Sequence, residues 1–95
     1  MSVVWFNGAL TESPIAIDPR DRGLTLGDGL FETILVVNGA ALWGNMHLAR
    51  LQASAQELGI PFERALVDDA MAALLATAGG RHHVLRITLT RGNAA

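Results

Sequence analysis

The sequence predicts an α+β domain in which an antiparallel sheet carries two helices on one of its faces. Asn-Gly pairs at 7–8 and 38–39 each follow a short apolar run, and this dipeptide is the strongest short signal of a two-residue hairpin turn. The stretches 45–58 and 63–78 instead repeat apolar residues every three or four positions, which is the period of a helix. Because tight hairpins force antiparallel pairing, the strands are expected to form one sheet that both helices cover from the same side.

The first hairpin connects a strand at 3–6 with a return that begins at Ala9. Pro14 excludes a central strand at its position because proline has no N–H to give to a sheet. A brief edge segment is predicted at 15–17. The stretch 18–29 is polar and rich in glycine, so the sequence predicts an ordered loop there.

The strand predicted at 30–37 is the central one, since both of its faces are mostly apolar. The turn at 38–39 follows it, and a return strand is predicted at 40–43. Side-chain alternation divides the central strand into two faces, with Phe31, Thr33, Leu35 and Val37 on one and Leu30, Glu32, Ile34 and Val36 on the other. A last strand is predicted at 84–90, with Leu85, Ile87 and Leu89 on one face and Arg86, Thr88 and Thr90 on the other.

The first predicted helix has Asn45 as its N-cap and ends at Gly59, after which Ile60 and Pro61 complete a C-terminal signal. Its buried stripe is predicted to contain Leu48, Leu51, Ala55 and Leu58. The second helix, at 63–78, ends before two glycines. Its inward residues are predicted to be Leu66, Ala70, Met71, Leu74 and Leu75.

The size and composition indicate one domain, 1–95, that is not complete by itself. Half of the residues (51%) are apolar and only 17% are charged, which is a rich composition for a small soluble domain. Such a composition indicates that some faces are normally covered by another domain or chain. The chain also stops directly after the last predicted strand, so it is expected to be part of a longer protein.

Several function classes are excluded by what the sequence contains. No apolar run is long enough to span a bilayer and no signal peptide is recognisable, so a cytoplasmic protein without a membrane partner is expected. The net charge of −2 argues against nucleic-acid binding. The absence of cysteine excludes disulfides and thiolate sites. All seven basic residues are arginines, so chemistry that needs a lysine amine is impossible within this chain.

Arg50 is the first candidate functional residue. His47, Arg50 and Ser54 form a polar row beside the apolar stripe of the first helix. An arginine in this place can bind a phosphate with its planar fork of donors. The alternative is an arginine whose stem covers apolar surface, and composition alone favours that alternative.

Other polar residues have weaker signals. Glu32 lies on an otherwise apolar strand face, where a structural pair with Arg20, Arg22 or Arg86 is favoured over acid–base catalysis. The glycines around Asp28 are interpreted as turn residues, with Asp28 bonded within its own loop. The adjacent histidines 82 and 83 point to opposite faces of a strand, so no metal site is predicted.

Taken together, these pieces resemble the N-terminal part of the class IV aminotransferases, the fold-type IV enzymes that use pyridoxal 5′-phosphate. The resemblance covers nearly the whole chain and is carried by ordered motifs. These motifs are Asp21-Arg22-Gly23, the run from Leu26 to Thr33, Asn38-Gly39, the run from His47 to Leu51, Ser54, the run from Leu58 to Pro61, and Thr90-Arg91-Gly92.

The resemblance implies roles for six residues. Arg50 matches the arginine that holds the cofactor phosphate, which reverses the interpretation drawn from composition. Leu26, Phe31 and Thr33 match positions that line the substrate side of the cofactor. Arg86 matches a strand position that helps to bind a substrate carboxylate in the branched-chain members. His47 is implied to position the helix rather than to react.

The resemblance also implies what the chain lacks. The lysine that bears the cofactor lies in the C-terminal domain of these enzymes, so no catalytic residue is predicted within these 95 residues and the chain alone is expected to be inactive. Leu26 and Thr33 resemble the aminodeoxychorismate lyase branch, which forms p-aminobenzoate and pyruvate in folate synthesis. The alternatives are a branched-chain or D-amino-acid aminotransferase. A small amino-acid-like substrate and a homodimer are implied in each case.

A different class of function also remains open. The chain could be a free-standing, non-catalytic domain that associates with itself or with a partner through its apolar faces. A reading frame that continues beyond Ala95, or an intact mass above 10.1 kDa, would separate this hypothesis from the enzyme.

Overall fold

The computed structural model describes residues 3–12 and 14–93, which form five strands and three helices. In chain order these are β1 (Val3–Phe6), β2 (Ala9–Glu12), α1 (Arg22–Leu26), β3 (Gly29–Val37), β4 (Ala40–Ala41), α2 (Gly44–Leu58), α3 (Arg64–Thr77) and β5 (His82–Thr90). All of the pairings are antiparallel, which confirms the predicted fold class. No helix within the described ranges is long and apolar enough to cross a membrane.

The strands form two sheets instead of the single sheet that was predicted. β1 and β2 pair with each other, and the other three strands have the order β4-β3-β5. The first hairpin is not hydrogen-bonded to the larger sheet, and β1 packs against α3. Both Asn-Gly turns were predicted correctly, since Asn7, Gly8, Asn38 and Gly39 all have positive φ.

β3 is the central strand, as predicted. It pairs with β5 along nine residues, from Gly29 opposite Thr90 to Val37 opposite His82, and with the two residues of β4 on its other side. Ile34 and Val36 of β3 are almost fully buried against α2, α3 and β5. The core cluster consists of Ile34, Val36, Leu48, Met71 and Leu85, so both helices do lie on one face of this sheet.

The region between the two Asn-Gly turns differs from the prediction at two places. Residues 22–26, which were expected to be a loop, form the short helix α1, since the Asp21 side chain caps Gly23 N–H at 2.7 Å and left-handed Gly27 ends the helix. The predicted edge segment at 15–17 is not a strand.

The entry into α2 also differs from the prediction. The return strand contains only Ala40–Ala41, and α2 begins at Gly44 after Trp43, whose φ is +52°. Asn45 is therefore inside the helix and is not its N-cap. Its side-chain oxygen instead accepts a hydrogen bond from Arg64 Nη2 at 3.0 Å, which joins the first turns of α2 and α3.

Two residues that were predicted to be buried are exposed. Leu58 is half exposed, whereas Ile60, which follows the left-handed Gly59, is almost fully buried. The Ile60 N–H donates to the Ala55 carbonyl at 2.8 Å, which confirms the predicted C-terminal signal. In the first turn of α3, Leu66 faces outward, whereas the next residue packs against the core cluster.

Candidate functional site

A buried carboxylate joins the central strand to the first long helix. Glu32 is on the helix-facing side of β3, and its side chain is only 7% exposed. A charged group this deeply buried needs partners, because the desolvation of an unpaired carboxylate costs several kcal/mol. The partners come from α2, where His47 and Arg50 are one turn apart and point toward β3.

Three donors converge on the Glu32 carboxylate. Arg50 binds it with two nitrogens, Nε to Oε2 at 3.0 Å and Nη2 to Oε1 at 2.8 Å. The third donor is His47 Nδ1, 2.6 Å from Oε1. Because an ionised carboxylate can only accept hydrogen bonds, Nδ1 must be the ring nitrogen that carries a proton. We call Glu32, His47 and Arg50 the carboxylate cluster.

The carboxylate cluster favours its charged form. The hydrogen bonds from Arg50 lower the pKa of Glu32 below its ordinary value, and the bond from His47 adds to this effect. Burial acts in the opposite direction but is the smaller influence. The same contact raises the pKa of Arg50. Glu32 is therefore an ionised structural group at neutral pH.

The predicted partners of Glu32 were wrong. Arg20 binds Asp18, Arg22 lies beside Asp28, and Arg86 is on the other face of the sheet. The sequence contained the correct signal, since an acid on the apolar face of β3 and a polar row on the covering helix are natural partners. Composition gave no reason to prefer α2 over the nearby arginines.

Arg50 keeps part of its donor set free for a ligand. Glu32 occupies Nε and one N–H of Nη2, which leaves Nη1 and the second N–H of Nη2. The side chain of Arg50 is 69% exposed. Its outer edge can therefore still offer two parallel donors, while the buried carboxylate fixes the plane of the guanidinium.

Three of the predicted substrate residues lie together on the other face of the sheet. Phe31, Thr33 and Arg86 are all exposed, and Thr33 is directly opposite Arg86 in the pairing of β3 with β5. The Arg86 guanidinium lies 4.4 Å above the centre of the Phe31 ring. Leu26 is separate from these residues, since it is the last residue of α1 and is 69% exposed. The functional roles of these residues stay predictions.

The three motifs that contain Asp21, Asp28 and Arg91 meet at one place, which we call the motif junction. Its members are Asp21-Arg22-Gly23, Gly27-Asp28-Gly29 and Thr90-Arg91-Gly92. The Asp28 side chain was expected to hydrogen-bond within its own loop. Its Oδ2 instead accepts a hydrogen bond from Arg91 Nε at 2.7 Å, and within the loop it forms an ion pair with Arg22 Nε at 3.4 Å. Arg91 also donates to the Leu58 carbonyl at 2.8 Å, so it ties the end of β5 to the end of α2.

Close packing explains why two positions of the motif junction are occupied by glycine. A Cβ on Gly23 would overlap the Thr90 side chain, and a Cβ on Gly29 would lie 2.7 Å from the Leu89 carbonyl oxygen. The Thr90 hydroxyl also donates to the Asp21 carboxylate at 3.1 Å. The motif junction is therefore a structural element that fixes where β3 starts and where β5 ends.

The remaining candidates do not add a site. His82 and His83 are exposed neighbours on β5, and the described residues contain no group of three or more His, Cys, Asp or Glu that could hold a metal. A surface cavity of about 510 Å³ lies between β1, the end of α3 and β5. Its lining includes Arg86 but none of the carboxylate cluster.

Comparisons with known proteins show the family of this chain. The family model described as amino-transferase class IV matches residues 29–95. A D-alanine aminotransferase from Bacillus licheniformis is 39% identical over 94 residues, which cover 96% of this chain and 33% of that protein.

Solved structures show the same fold. The 4-amino-4-deoxychorismate lyase from Pseudomonas aeruginosa matches with a TM-score of 0.74 and 37% identity over 87% of this chain and 30% of that one. A hypothetical aminotransferase from Mycobacterium tuberculosis in its apo form matches with a TM-score of 0.84 and 27% identity over 97% of this chain and 34% of that one. The chain thus spans about a third of the length of these relatives. It belongs to the class IV aminotransferase family and corresponds to the N-terminal domain of the fold-type IV enzymes.

Proposed function

We propose that these residues form one wall of a pyridoxal 5′-phosphate site in a longer enzyme. The observation that carries the proposal is the Arg50 guanidinium, which Glu32 holds in one plane while its outer donors stay exposed. Phosphate oxygens match the spacing of such a fork, and the positive charge of the guanidinium strengthens its hydrogen bonds to a phosphate dianion. The M. tuberculosis aminotransferase has also been solved in a pyridoxal phosphate-bound form, which supports the same cofactor here.

Residues of this chain would bind and orient the cofactor and the substrate, and the rest of the enzyme would supply the reacting groups. Bound pyridoxal phosphate supplies an electron sink for cleavage of bonds to the substrate α-carbon. The chain has no lysine to attach the cofactor, so that residue must come from outside these 95 residues. By itself, the chain is therefore expected to be catalytically inactive. A homodimer of the longer protein is part of the same proposal.

The reaction that we propose is the conversion of aminodeoxychorismate to p-aminobenzoate and pyruvate. Leu26 and Thr33 favour this lyase branch, and the similarity to the Pseudomonas lyase supports it. A second candidate is an aminotransferase acting on D-amino acids, since a D-alanine aminotransferase is 39% identical over nearly the whole chain. In both cases Phe31, Thr33 and Arg86 would face the substrate.

The test of the cofactor site is dissociation of pyridoxal phosphate from the longer enzyme and its variants. Arg50→Ala is expected to weaken binding by about tenfold to a hundredfold, because it removes a charge-assisted bidentate contact. Arg50→Lys should recover only part of the affinity, since a point charge lacks the fork. Arg86→Ala is the matched control, and it should retain the cofactor. The proposal is wrong if Arg50→Ala holds the cofactor as tightly as the wild type.

The test of the reaction uses the same purified enzyme. Fluorescence of p-aminobenzoate formed from aminodeoxychorismate would establish the lyase. Transfer of the amino group from D-alanine to 2-oxoglutarate, without p-aminobenzoate formation, would establish the second candidate. If neither reaction occurs in an enzyme that holds the cofactor, both substrate assignments fail.

A further inference from the structure

The two hairpin turns each contain a pair of groups that can react with each other. These are the first turn, Asn7-Gly8, and the second turn, Asn38-Gly39, and both residues of each turn are exposed. The backbone nitrogen of a residue can attack the side-chain amide of a preceding asparagine, and a glycine hinders the attack least because it has no Cβ. Among the described residues, neither turn asparagine makes a side-chain hydrogen bond, unlike Asn45 and Asn93.

The reaction is deamidation through a five-membered ring. At the first turn, the Gly8 nitrogen forms a bond to Cγ of Asn7 and gives its proton to water, while the bond from Cγ to Nδ2 breaks and ammonia leaves with a proton from water. A second water molecule then opens the succinimide ring. Opening at Cγ gives aspartate, whereas opening at the backbone carbonyl carbon gives isoaspartate, in which the main chain runs through the side chain.

A folded turn resists this reaction, so the reaction rate depends on how often the turn opens. Both turns have two residues with positive φ, for example +48° at Asn7 and +103° at Gly8, which is the type I′ geometry. In that geometry ψ of the first residue is about +30°, which places its Cβ and the next nitrogen on nearly opposite sides of the Cα–C bond. Ring closure needs both atoms on the same side, so the turn must open first.

The second turn is anchored on both sides. Its neighbour Val37 lies opposite Ala40 of β4 and also opposite His82 of β5. After the turn, Ala41 packs against the core cluster shortly before α2 begins. Opening at Asn38 therefore disturbs the larger sheet and the core together.

The first turn has weaker anchors. β1 and β2 pair with each other and with no other described strand, and all four residues of β2 are exposed. A single two-stranded hairpin is at best marginally stable in water. Since β1 is the strand that packs against α3, β2 can separate from it without exposing the core cluster.

We propose that Asn7 is a site of spontaneous deamidation, and that the fold protects Asn38 from the same reaction. Isoaspartate adds one backbone carbon to the first turn, so the register with Phe6 opposite Ala9 is lost. The aspartate product keeps the register, because Asp-Gly also favours a type I′ turn. No cofactor or substrate takes part, so this inference is independent of the proposed function.

Incubation of the 95-residue chain at mildly alkaline pH tests the selectivity. Mass spectrometry of tryptic peptides follows each asparagine, and synthetic peptides identify the aspartate and isoaspartate products. Asn7 should react about tenfold faster than Asn38, or more, which corresponds to about 1.4 kcal/mol between the opening free energies. In urea both turns are open, and the two rates should agree within about twofold. Asn45, which is inside α2 and precedes Met46, is the unreactive control.

Three results would overturn the proposal. The first is an equal rate at Asn7 and Asn38 in the folded chain, and the second is no reaction at Asn7. The third is a preference for Asn7 that persists in urea, because the preference would then come from neighbouring residues instead of the fold.

The protection of the second turn can be weakened on its own. Ala41→Gly should raise the rate at Asn38 by about two- to fivefold, because glycine weakens a strand, and should leave the rate at Asn7 unchanged. An unchanged rate at Asn38 would refute the anchoring by β4.

The two products at Asn7 test the effect on the hairpin, since they have the same charge and differ in the path of the main chain. After chromatographic separation, amide hydrogen exchange in β1 and β2 should be faster in the isoaspartate form than in the aspartate form. Exchange in β3 and β5 should be the same in both forms. Equal protection of the hairpin in the two forms would refute the loss of register.

Discussion

Replacement of Glu32 by glutamine is expected to lower the free energy of unfolding by about 1 to 3 kcal/mol at pH 7. Glutamine has nearly the same shape as glutamate but carries two donors on one of its terminal atoms. Arg50 contacts both carboxylate oxygens, so the new NH₂ group faces an Arg50 N–H in either orientation of the amide. At least one hydrogen bond is lost, and two donors are brought together.

The magnitude follows from the exposure of the partners. Removal of one member of a fully buried ion pair costs about 3 to 5 kcal/mol, because the other charge is left without compensation. Arg50 is 69% exposed and can turn to water, whereas His47 is only 21% exposed. The expected loss of stability is therefore smaller than for a fully buried pair, and it arises mainly at the buried end of the side chain at position 32.

The effect should depend on pH with a definite sign. The folded-state pKa of Glu32 is lowered from that of the unfolded chain, so its stabilisation is fully present above the unfolded value of about 4.3. This stabilisation is lost as the pH falls through the lowered folded-state value. The difference between wild type and Glu32→Gln should therefore shrink from pH 7 to pH 3.

Urea unfolding followed by tryptophan fluorescence at the two pH values measures this difference. Asp18→Asn is the matched control, since it changes an acid whose partner Arg20 is well exposed, and no measurable loss of stability is expected. A loss for Glu32→Gln below about 0.5 kcal/mol at pH 7, or an equal loss at pH 3, would refute the reasoning.

Three further outcomes are expected. Gly23→Ala should destabilise the chain by about 1 to 3 kcal/mol in urea unfolding, and Thr90→Ser should partly rescue it by removing the overlapping methyl group; the absence of any rescue would contradict this contact. Borohydride reduction after incubation with pyridoxal phosphate should give no stoichiometric internal modification in peptide maps, since the chain has no lysine. Sedimentation at micromolar concentration should show self-association through exposed apolar surface such as Phe31 and Trp43, and a clean monomer would count against it.

Local signals in the sequence were sufficient for most of the fold. The two Asn-Gly turns, the alternation of β3 and the Gly59 signal depend on neighbouring residues, and each was predicted correctly. The short α1 was missed because its cap, Asp21, is followed by no apolar period. The start of α2 was missed because Trp43 adopts a positive φ that is rare for a large side chain.

The site was predicted only in part, and the reason differs from the one that applies to α1 and α2. The polar row with His47 and Arg50 and the face that carries Glu32 were both recognised, but their contact depends on how α2 lies across β3. No local pattern determines that crossing. The stacking of Arg86 on Phe31 similarly depends on the register between β3 and β5, which are about fifty residues apart in the chain.

The motif junction has a consequence for the order of folding. Its side-chain contacts join residues that are far apart in the sequence, 63 positions for Asp28 with Arg91 and 69 for Asp21 with Thr90. Closure of such long loops is entropically costly until other contacts have brought the ends together. The junction should therefore form after β5 has docked on β3, late in folding. Once it has formed, opening at either end of the chain releases the other, so residues near 21 and near 91 behave as one cooperative unit.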